Sequence, residues 1–228
     1  MEYSLMVITA HPDDESFPIG GTIAKYAAEG VRVILVCATR GEAGIPGLGA
    51  SESAFIRENE LREAAGILGI NQLEFLDYMD GTLAEVDEEE IVTKLLAIFK
   101  KENPDAVITF DPTGLSGHPD HIAINRFITK AFERANLPAR LFYIMPSEAT
   151  QQGCGVTPSN GTSTGSVTSI DISKFTEIKV RAMQSHISQN PPYKGDPIKE
   201  AKKLACHEFF ILEKPTLPLQ QTIVNLFE

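Results

Sequence analysis

Short runs of apolar residues alternate along the chain with longer segments in which apolar positions recur every three or four residues. The short runs are rich in Val, Ile and Leu, which is typical of buried strands, and the longer segments indicate helices. Alternation of this kind predicts βαβ units built around a parallel sheet. The six predicted strands are Leu5–Thr9, Val31–Cys37, Leu73–Leu76, Ala106–Phe110, Leu141–Ile144 and Val167–Ile172.

The helical segments end at residues that commonly stop helices. Gly30 follows the first segment, Gly69 the second and Asn103-Pro104 the third. A fourth helix is expected to start at His118-Pro119, because proline favours the first helical position, and to continue through Ile128. The other three predicted helices are Ile19–Glu29, Ala54–Leu68 and Glu88–Lys101.

These elements predict one α/β domain over residues 1–228, with a Rossmann-like, mostly parallel sheet and helices on both faces. A chain of 228 residues with 43% hydrophobic content is long enough to bury a single core. Residues 147–166 are rich in Gly, Ser, Thr and Gln and predict a flexible loop, either a lid or a tolerated insertion. Residues 213–228 are expected to form a C-terminal tail.

Charge and composition narrow the range of partners. The formal net charge of -11 argues against nucleic acid and anionic membrane surfaces, because both are polyanions. The start of the chain lacks the basic residues of a signal peptide, and no apolar run approaches the ~20 residues that cross a bilayer. The three cysteines are widely spaced and give no disulfide framework, so a cytoplasmic protein acting on a small molecule is expected.

Two polar clusters come after predicted strands, the first directly and the second after six connecting residues. Residues 10–15 read Ala-His-Pro-Asp-Asp-Glu after the first strand, and residues 117–121 read Gly-His-Pro-Asp-His after the fourth. Because ligands collect at the carboxyl ends of parallel strands, we expect the two clusters to meet at one edge of the sheet. His11 and Asp14 are metal-ligand types three residues apart, and the second cluster adds two imidazoles. Two histidines and one carboxylate are typical of a catalytic zinc site with an open position.

The same clusters have other interpretations. A His-Pro-Asp turn can simply cap its own backbone, although this does not explain its occurrence twice. Two histidines and a carboxylate also hold Fe²⁺ in oxygenases. A dinucleotide-binding site is disfavoured because no GxGxxG follows the first strand, where Asp13, Asp14 and Glu15 would repel a pyrophosphate. A serine or cysteine nucleophile is disfavoured because no GxSxG elbow follows any of the predicted strands and Cys37 lies in an apolar strand.

At these residues the chain resembles the PIG-L/LmbE-like family of zinc-dependent N-acetylglucosamine deacetylases. Besides the two clusters, the resemblance includes Thr39-Arg40-Gly41-Glu42, Arg57 with Glu60-Leu61, Asp80-Gly81 and a later His186-x-Ser188-Gln189 segment. It implies a single LmbE-like deacetylase domain that holds Zn²⁺, with Fe²⁺ as the alternative ion. It also implies an acetamido-sugar substrate, and it leaves open whether the protein assembles as a homo-oligomer.

The resemblance assigns roles to particular residues. His11, Asp14 and His121 would bind the metal, and Asp13 would be the general base. His118 would act as an acid or stabilise the oxyanion. The substrate would be contacted by Arg57, Asp80 and Glu42. Independently of the resemblance, we expect a carboxylate, either Asp120 or Asp111, to hydrogen-bond with His118 and orient its ring.

Ser116 marks a departure from the family pattern, because some members carry a tyrosine two residues before the first histidine of the second cluster. Tyrosine-assisted oxyanion stabilisation is therefore not expected at that position. The implied activity is hydrolysis of the N-acetyl group from an N-acetylglucosaminyl or related acetamido-sugar compound. The alternatives are hydrolysis of another amide at the same metal site, or a catalytically silent metal- or carbohydrate-binding protein.

Overall fold

The computed structural model describes residues 3–145, 166–215 and 225–227. Its strands are β1 (Ser4–Thr9), β2 (Arg32–Thr39), β3 (Gln72–Tyr78), β4 (Ala106–Thr109), β5 (Arg140–Met145), β6 (Ser166–Asp171) and β7 (His207–Lys214). Its α-helices are α1 (Gly20–Ala28), α2 (Ala50–Leu68), α3 (Glu88–Glu102), the short turn α4 (Gly114–Gly117), α5 (Pro119–Ala135), α6 (Thr176–Ser185) and α7 (Pro197–Ala201). Two 3₁₀ turns span Leu83–Glu85 and Ile187–Gln189.

The described strands form one sheet of seven strands in the order β3-β2-β1-β4-β5-β7-β6. Strands β1 to β5 pair in parallel, whereas β7 lies antiparallel to both β5 and β6. The sheet is therefore mostly parallel, as the strand-helix alternation predicts.

The core lies on both faces of the central strands. All six residues of β1 are buried, and Leu5, Val7 and Ile8 have no exposed surface. Helix α3 packs against α5, whereas α1, α2 and α6 pack against one another. Because a strand buried on both faces needs cover on each side, these two groups of helices occupy opposite faces of the sheet.

Strand order creates a crevice beside β1. From β1 the chain moves through β2 to β3 on one side, and then returns to place β4 on the other side of β1. At such a point the connections leaving the two neighbouring strands diverge, which opens a crevice at their carboxyl ends. Leu5 pairs with Ala106 and Val7 with Ile108, so the polar clusters that follow β1 and β4 leave the sheet side by side.

The boundaries of the predicted elements differ from the observed ones by a few residues, and helix α2 starts four residues before its predicted start, at Ala50. The sequence patterns did not predict α4, α6, α7 or β7. In β7 the buried residues Glu208, Phe210 and Leu212 alternate with more exposed ones, but four consecutive apolar letters hide this alternation. The predicted tail is wrong at residues 213–214, because they belong to β7. The predicted flexible loop lies outside the described residues except for Ser166, which begins β6.

None of the helices in the described part of the chain has the length and apolar character needed to span a membrane.

Candidate metal centre

The first polar cluster forms a tight turn at the end of β1. The backbone N–H of Ser16 donates to the carbonyl of Asp13 at 2.9 Å, and the N–H of His11 donates to the Asp14 carboxylate at 2.7 Å. Asp13 has a φ of 121°, which is rare for a residue with a side chain. A strained conformation of this kind persists only where its surroundings hold it, and it is common at active sites.

Three potential metal ligands converge at the crevice. His11 Nδ1 lies 3.2 Å from His121 Nε2, and His121 Nε2 lies 3.3 Å from Asp14 Oδ1. The triangle of these three groups closes through the other oxygen of the same carboxylate, because His11 Nδ1 lies 3.6 Å from Asp14 Oδ2. Zinc–ligand bonds of ~2.0 to 2.1 Å in tetrahedral geometry separate neighbouring ligand atoms by ~3.3 to 3.4 Å. The observed triangle therefore fits one small divalent ion.

Hydrogen bonds behind the two imidazoles support the same conclusion. His11 Nε2 lies 3.1 Å from Asp80 and 3.2 Å from Asp120, so in the neutral ring the proton sits on Nε2. His121 Nδ1 lies 3.1 Å from the carbonyl of Gly114 and also carries a proton. When both rings are neutral, the two nitrogens that face each other therefore both carry lone pairs, so they cannot hydrogen-bond with each other but can bind one metal ion.

The charges around His11 favour a cation at this position. Burial lowers the pKa of His11, but hydrogen bonds with Asp120, Asp14 and Asp80 outweigh it and raise the pKa to about 12. Burial opposes ionisation of Asp14, yet its contacts with His11 and His121 hold the pKa of that carboxyl well below its usual range. Three carboxylates around one imidazole thus demand a positive charge, which a proton or a divalent ion can supply.

Asp13 lies beside the cluster and is not one of its three converging groups. Its carboxylate Oδ2 is 3.3 Å from Arg57 Nη2. Burial and the neighbouring Asp14 carboxylate raise the pKa of Asp13 to about 7, against the lowering effect of Arg57. A carboxylate with this pKa can both accept and release a proton near neutral pH.

His118 caps helix α5, as the sequence predicts. Its Nδ1 accepts a hydrogen bond from the backbone N–H of Asp120 at 3.2 Å, and Pro119 occupies the first helical turn. The ring centroid lies 4.8 Å from that of His11 and 4.8 Å from that of His121. His118 therefore borders the ligand cluster, and it belongs with His11 and His121 to a second histidine grouping that is compact enough for a metal.

The structure places Asp120 behind His11 and not behind His118. The Asp120 carboxylate is fully buried, accepts from the backbone N–H groups of Gly81 and Leu83, and contacts His11 Nε2. The alternative carboxylate, Asp111, accepts from Thr113 and from the N–H of Leu115. The expectation that one of these two carboxylates orients His118 is therefore corrected, because Asp120 supports the other histidine.

The three residues expected to contact the substrate all have protein partners. Arg57 is 3% exposed and donates to the carbonyl of Pro12 at 2.6 Å. The Asp80 side chain is 9% exposed and lies between His11 and Arg57. Glu42 accepts from the backbone N–H groups of Arg40 and Asp80, both at 3.2 Å. These residues line the wall of the site, and their contact with a substrate stays a prediction.

Two supports of His121 carry no sequence signal of their own. Phe110 stacks on the imidazole with ring centroids 3.9 Å apart and planes 4° from parallel. Gly114 supplies the carbonyl that binds His121 Nδ1, at a φ of +68° that favours glycine. A Cβ at Gly114 would approach the Cβ of His121 to 3.0 Å, so a side chain there would disturb the ligand.

The His186 segment lies on the far side of the first turn. His186 and Glu15 are both fully buried, and His186 Nε2 is 2.7 Å from Glu15 Oε1. Ser188 binds the Glu60 carboxylate through its N–H and its hydroxyl. Nothing in the separate motifs shows that the segments around residues 15, 60 and 186 meet, because they are far apart in the chain.

Several deacetylases are among the known proteins that are similar to this chain. A deacetylase from Saccharomonospora viridis, named for 1D-myo-inositol 2-acetamido-2-deoxy-alpha-D-glucopyranoside, is 36% identical over 92% of this chain and 95% of its own. A probable N-acetyl-alpha-D-glucosaminyl L-malate deacetylase 2 from Bacillus anthracis is 31% identical over 82% of each chain. The solved N,N'-diacetylchitobiose deacetylase from Pyrococcus horikoshii is 27% identical, with a TM-score of 0.68 over 92% of this chain and 83% of its own.

The family model described as GlcNAc-PI de-N-acetylase, PIG-L, matches residues 6–132. This range contains both polar clusters, all of β4 and most of β1, and thus all three converging ligands. The sequence match, the shared fold and the ligand geometry lead to one assignment: the chain belongs to the PIG-L family of deacetylases.

Proposed function

We propose that this protein is a zinc-dependent hydrolase that removes the N-acetyl group from an N-acetylglucosaminyl or related acetamido-sugar compound. The observation that carries the proposal is the triangle of His11 Nδ1, His121 Nε2 and the Asp14 carboxylate, with the Asp13 carboxylate beside it. The names of the related deacetylases support the acetamido-sugar substrate.

The proposed ligands are His11, Asp14 and His121. Zn²⁺ is the proposed ion, because three N and O ligands with an open position are its usual catalytic set, and Fe²⁺ is the alternative. A bound ion of this kind supplies Lewis acidity, which lowers the pKa of water toward ~7 and polarises a carbonyl oxygen.

Asp13 is the proposed general base. Its carboxylate accepts the proton of the attacking water, and Arg57 at 3.3 Å favours the ionised carboxylate that is able to accept it. The acetyl C–N bond then breaks, the acetyl group leaves as acetate, and the sugar nitrogen takes a proton from either Asp13 or His118 to leave as an amine.

His118 is the proposed acid or oxyanion partner. Its Nδ1 accepts from the Asp120 N–H, so in the neutral ring the proton sits on Nε2, the nitrogen available for donation. Burial, together with the nearby His11 and His121, lowers the pKa of His118. A neutral donor of this type can stabilise negative charge that develops on the amide oxygen.

Contacts with the sugar are proposed for Arg57, Asp80 and Glu42, which form the wall beside Asp13. An acidic chain of this composition suits a neutral or cationic small molecule better than nucleic acid or an anionic membrane. We further propose a cytoplasmic location, supported by the absence of a disulfide framework, and leave self-assembly as a question for solution measurements.

The test is acetate release from N-acetylglucosaminyl-inositol, N-acetylglucosaminyl-malate and N,N'-diacetylchitobiose. We expect release from at least one of them, loss of release after chelation, and recovery when Zn²⁺ is returned. Fe²⁺ in a parallel recovery distinguishes the two ions. Release from other amides alone would favour a different amidohydrolase, and metal binding without any release would favour a silent binding protein.

A further inference from the structure

Asp13 owes its position to backbone contacts as well as to Arg57. Its φ of 121° is held because its N–H donates to Glu15 Oε2 at 3.0 Å and its carbonyl accepts from Ser16 and Phe17. Glu15 is the one of these partners whose side chain reaches back to Asp13. The orientation of the Glu15 carboxylate therefore affects where the Asp13 side chain points.

The other oxygen of Glu15 is held from a distant part of the chain. Glu15 Oε1 accepts from the Ser16 hydroxyl and lies 2.7 Å from His186 Nε2. Neither Glu15 nor His186 has exposed surface, so water does not replace this contact. A buried carboxylate needs such donors, because an unpaired one is costly in an apolar environment.

His186 is itself fixed by its neighbours. Ser188, two residues further on, binds both oxygens of Glu60 on α2 at 2.7 and 2.6 Å. Gln189 Nε2 lies 3.3 Å from the carbonyl of Gly44. The same helix α2 carries Arg57, so the His186 segment and the guanidinium that faces Asp13 are tied to one rigid element.

From these contacts we infer that His186 is a positioning residue for the general base. The imidazole donates to Glu15 Oε1, and the fixed carboxylate holds the N–H of Asp13 through Oε2. The inference rests on the proposed function, because it assigns His186 to the reaction through Asp13. A displacement of a reacting group by ~1 Å can cost ~10²-fold in rate.

The test compares His186→Gln with His186→Met. The amide nitrogen of glutamine reaches the place of the imidazole Nε2, whereas methionine fills the pocket without a donor. We expect His186→Met to lower kcat by roughly 10- to 100-fold with KM and bound zinc unchanged. We expect His186→Gln to recover most of the lost kcat.

Lys179→Met is the matched control. Lys179 pairs with Glu208 at 2.6 Å in another buried ion pair, which binds the start of α1 through Gly21 and Thr22. We expect this variant to lower the thermal unfolding temperature without a selective loss of kcat. If His186→Met fails to fold, His186→Asn takes its place, since its shorter amide does not reach Glu15.

The outcomes separate this inference from the proposed function. If the wild-type protein releases no acetate from any acetamido sugar, the proposed function fails and the inference fails with it. If the wild-type protein is active and His186→Met keeps its kcat, only the inference is overturned. Equal losses in His186→Gln and His186→Met, or loss of zinc in both, would also overturn it.

Discussion

The chain carries His-Pro-Asp twice, and the structure uses the two copies in opposite ways. In residues 11–13 the histidine joins the ligand triangle and the aspartate faces Arg57 beside it. In residues 118–120 the histidine caps α5 and borders the triangle, while the aspartate is buried behind His11. The aspartate of the second copy thus supports the histidine of the first.

Backbone conformation explains the difference. The first copy forms a turn after β1 in which Asp13 adopts a φ of 121°. The second copy begins a helix, where Pro119 occupies the first turn and Asp120 follows it inward. The same three residue types therefore have different roles in the two copies, because a turn and a helix point successive side chains in different directions. The motif shows which functional groups are present, and the backbone conformation decides which of them faces the ligand triangle.

The largest expected effect comes from Asp13→Asn. This change keeps the size of the side chain but removes the base, so kcat should fall by ~10²- to 10⁴-fold. Bound zinc should stay at the wild-type level, because Asp13 lies outside the ligand triangle. Zinc content after dialysis and acetate release measure the two effects.

Asp14→Ala is the control for Asp13→Asn. It should lose zinc on dialysis, since only two neutral histidines remain to hold the ion. If Asp13→Asn loses zinc while Asp14→Ala retains it, the roles of the two neighbouring carboxylates are reversed.

A smaller effect is expected at the second aspartate. Asp120→Asn weakens the hydrogen bond that fixes His11, and partners of this kind typically contribute ~10- to 100-fold in metal affinity. Competition with a zinc chelator measures the affinity. Asp111→Asn is the control, because the Asp111 carboxylate accepts from the Thr113 hydroxyl and the N–H of Leu115 within its own loop, and this variant should bind zinc normally. Equal zinc affinities for the two variants would contradict the inference that the hydrogen bond from His11 to Asp120 strengthens metal binding.

The smallest effect concerns stability at His118. His118→Asn keeps a side chain that can cap α5, whereas His118→Leu does not. We expect His118→Leu to be less stable than His118→Asn by about 0.5 to 2 kcal/mol, the usual range for a helix cap. Urea unfolding of both variants measures the difference. Equal stabilities would show that the contact with the Asp120 N–H contributes nothing to the helix.

Much of the fold could be predicted from local patterns of apolar residues in the sequence. Strand β1 and helix α3 lie within a few residues of their predicted positions, because apolar periodicity and stop residues act locally. Strand β7 was missed, since it pairs antiparallel between β5 and β6 and its central letters are uniformly apolar. The site could be predicted in part from the sequence. The two clusters indicated the candidate ligands, but they did not indicate which carboxylate hydrogen-bonds with which histidine.

The sequence by itself determined the parallel α/β character and the chemistry at the strand ends, because both follow from the order of residues within short segments. Only the tertiary structure decided that β1 lies beside β4, that Asp120 contacts His11 and that His186 reaches Glu15. The last two contacts join residues 109 and 171 positions apart. Contacts between residues so far apart produce no periodic pattern in the sequence, because they depend on strand order and on how the helices pack across the sheet.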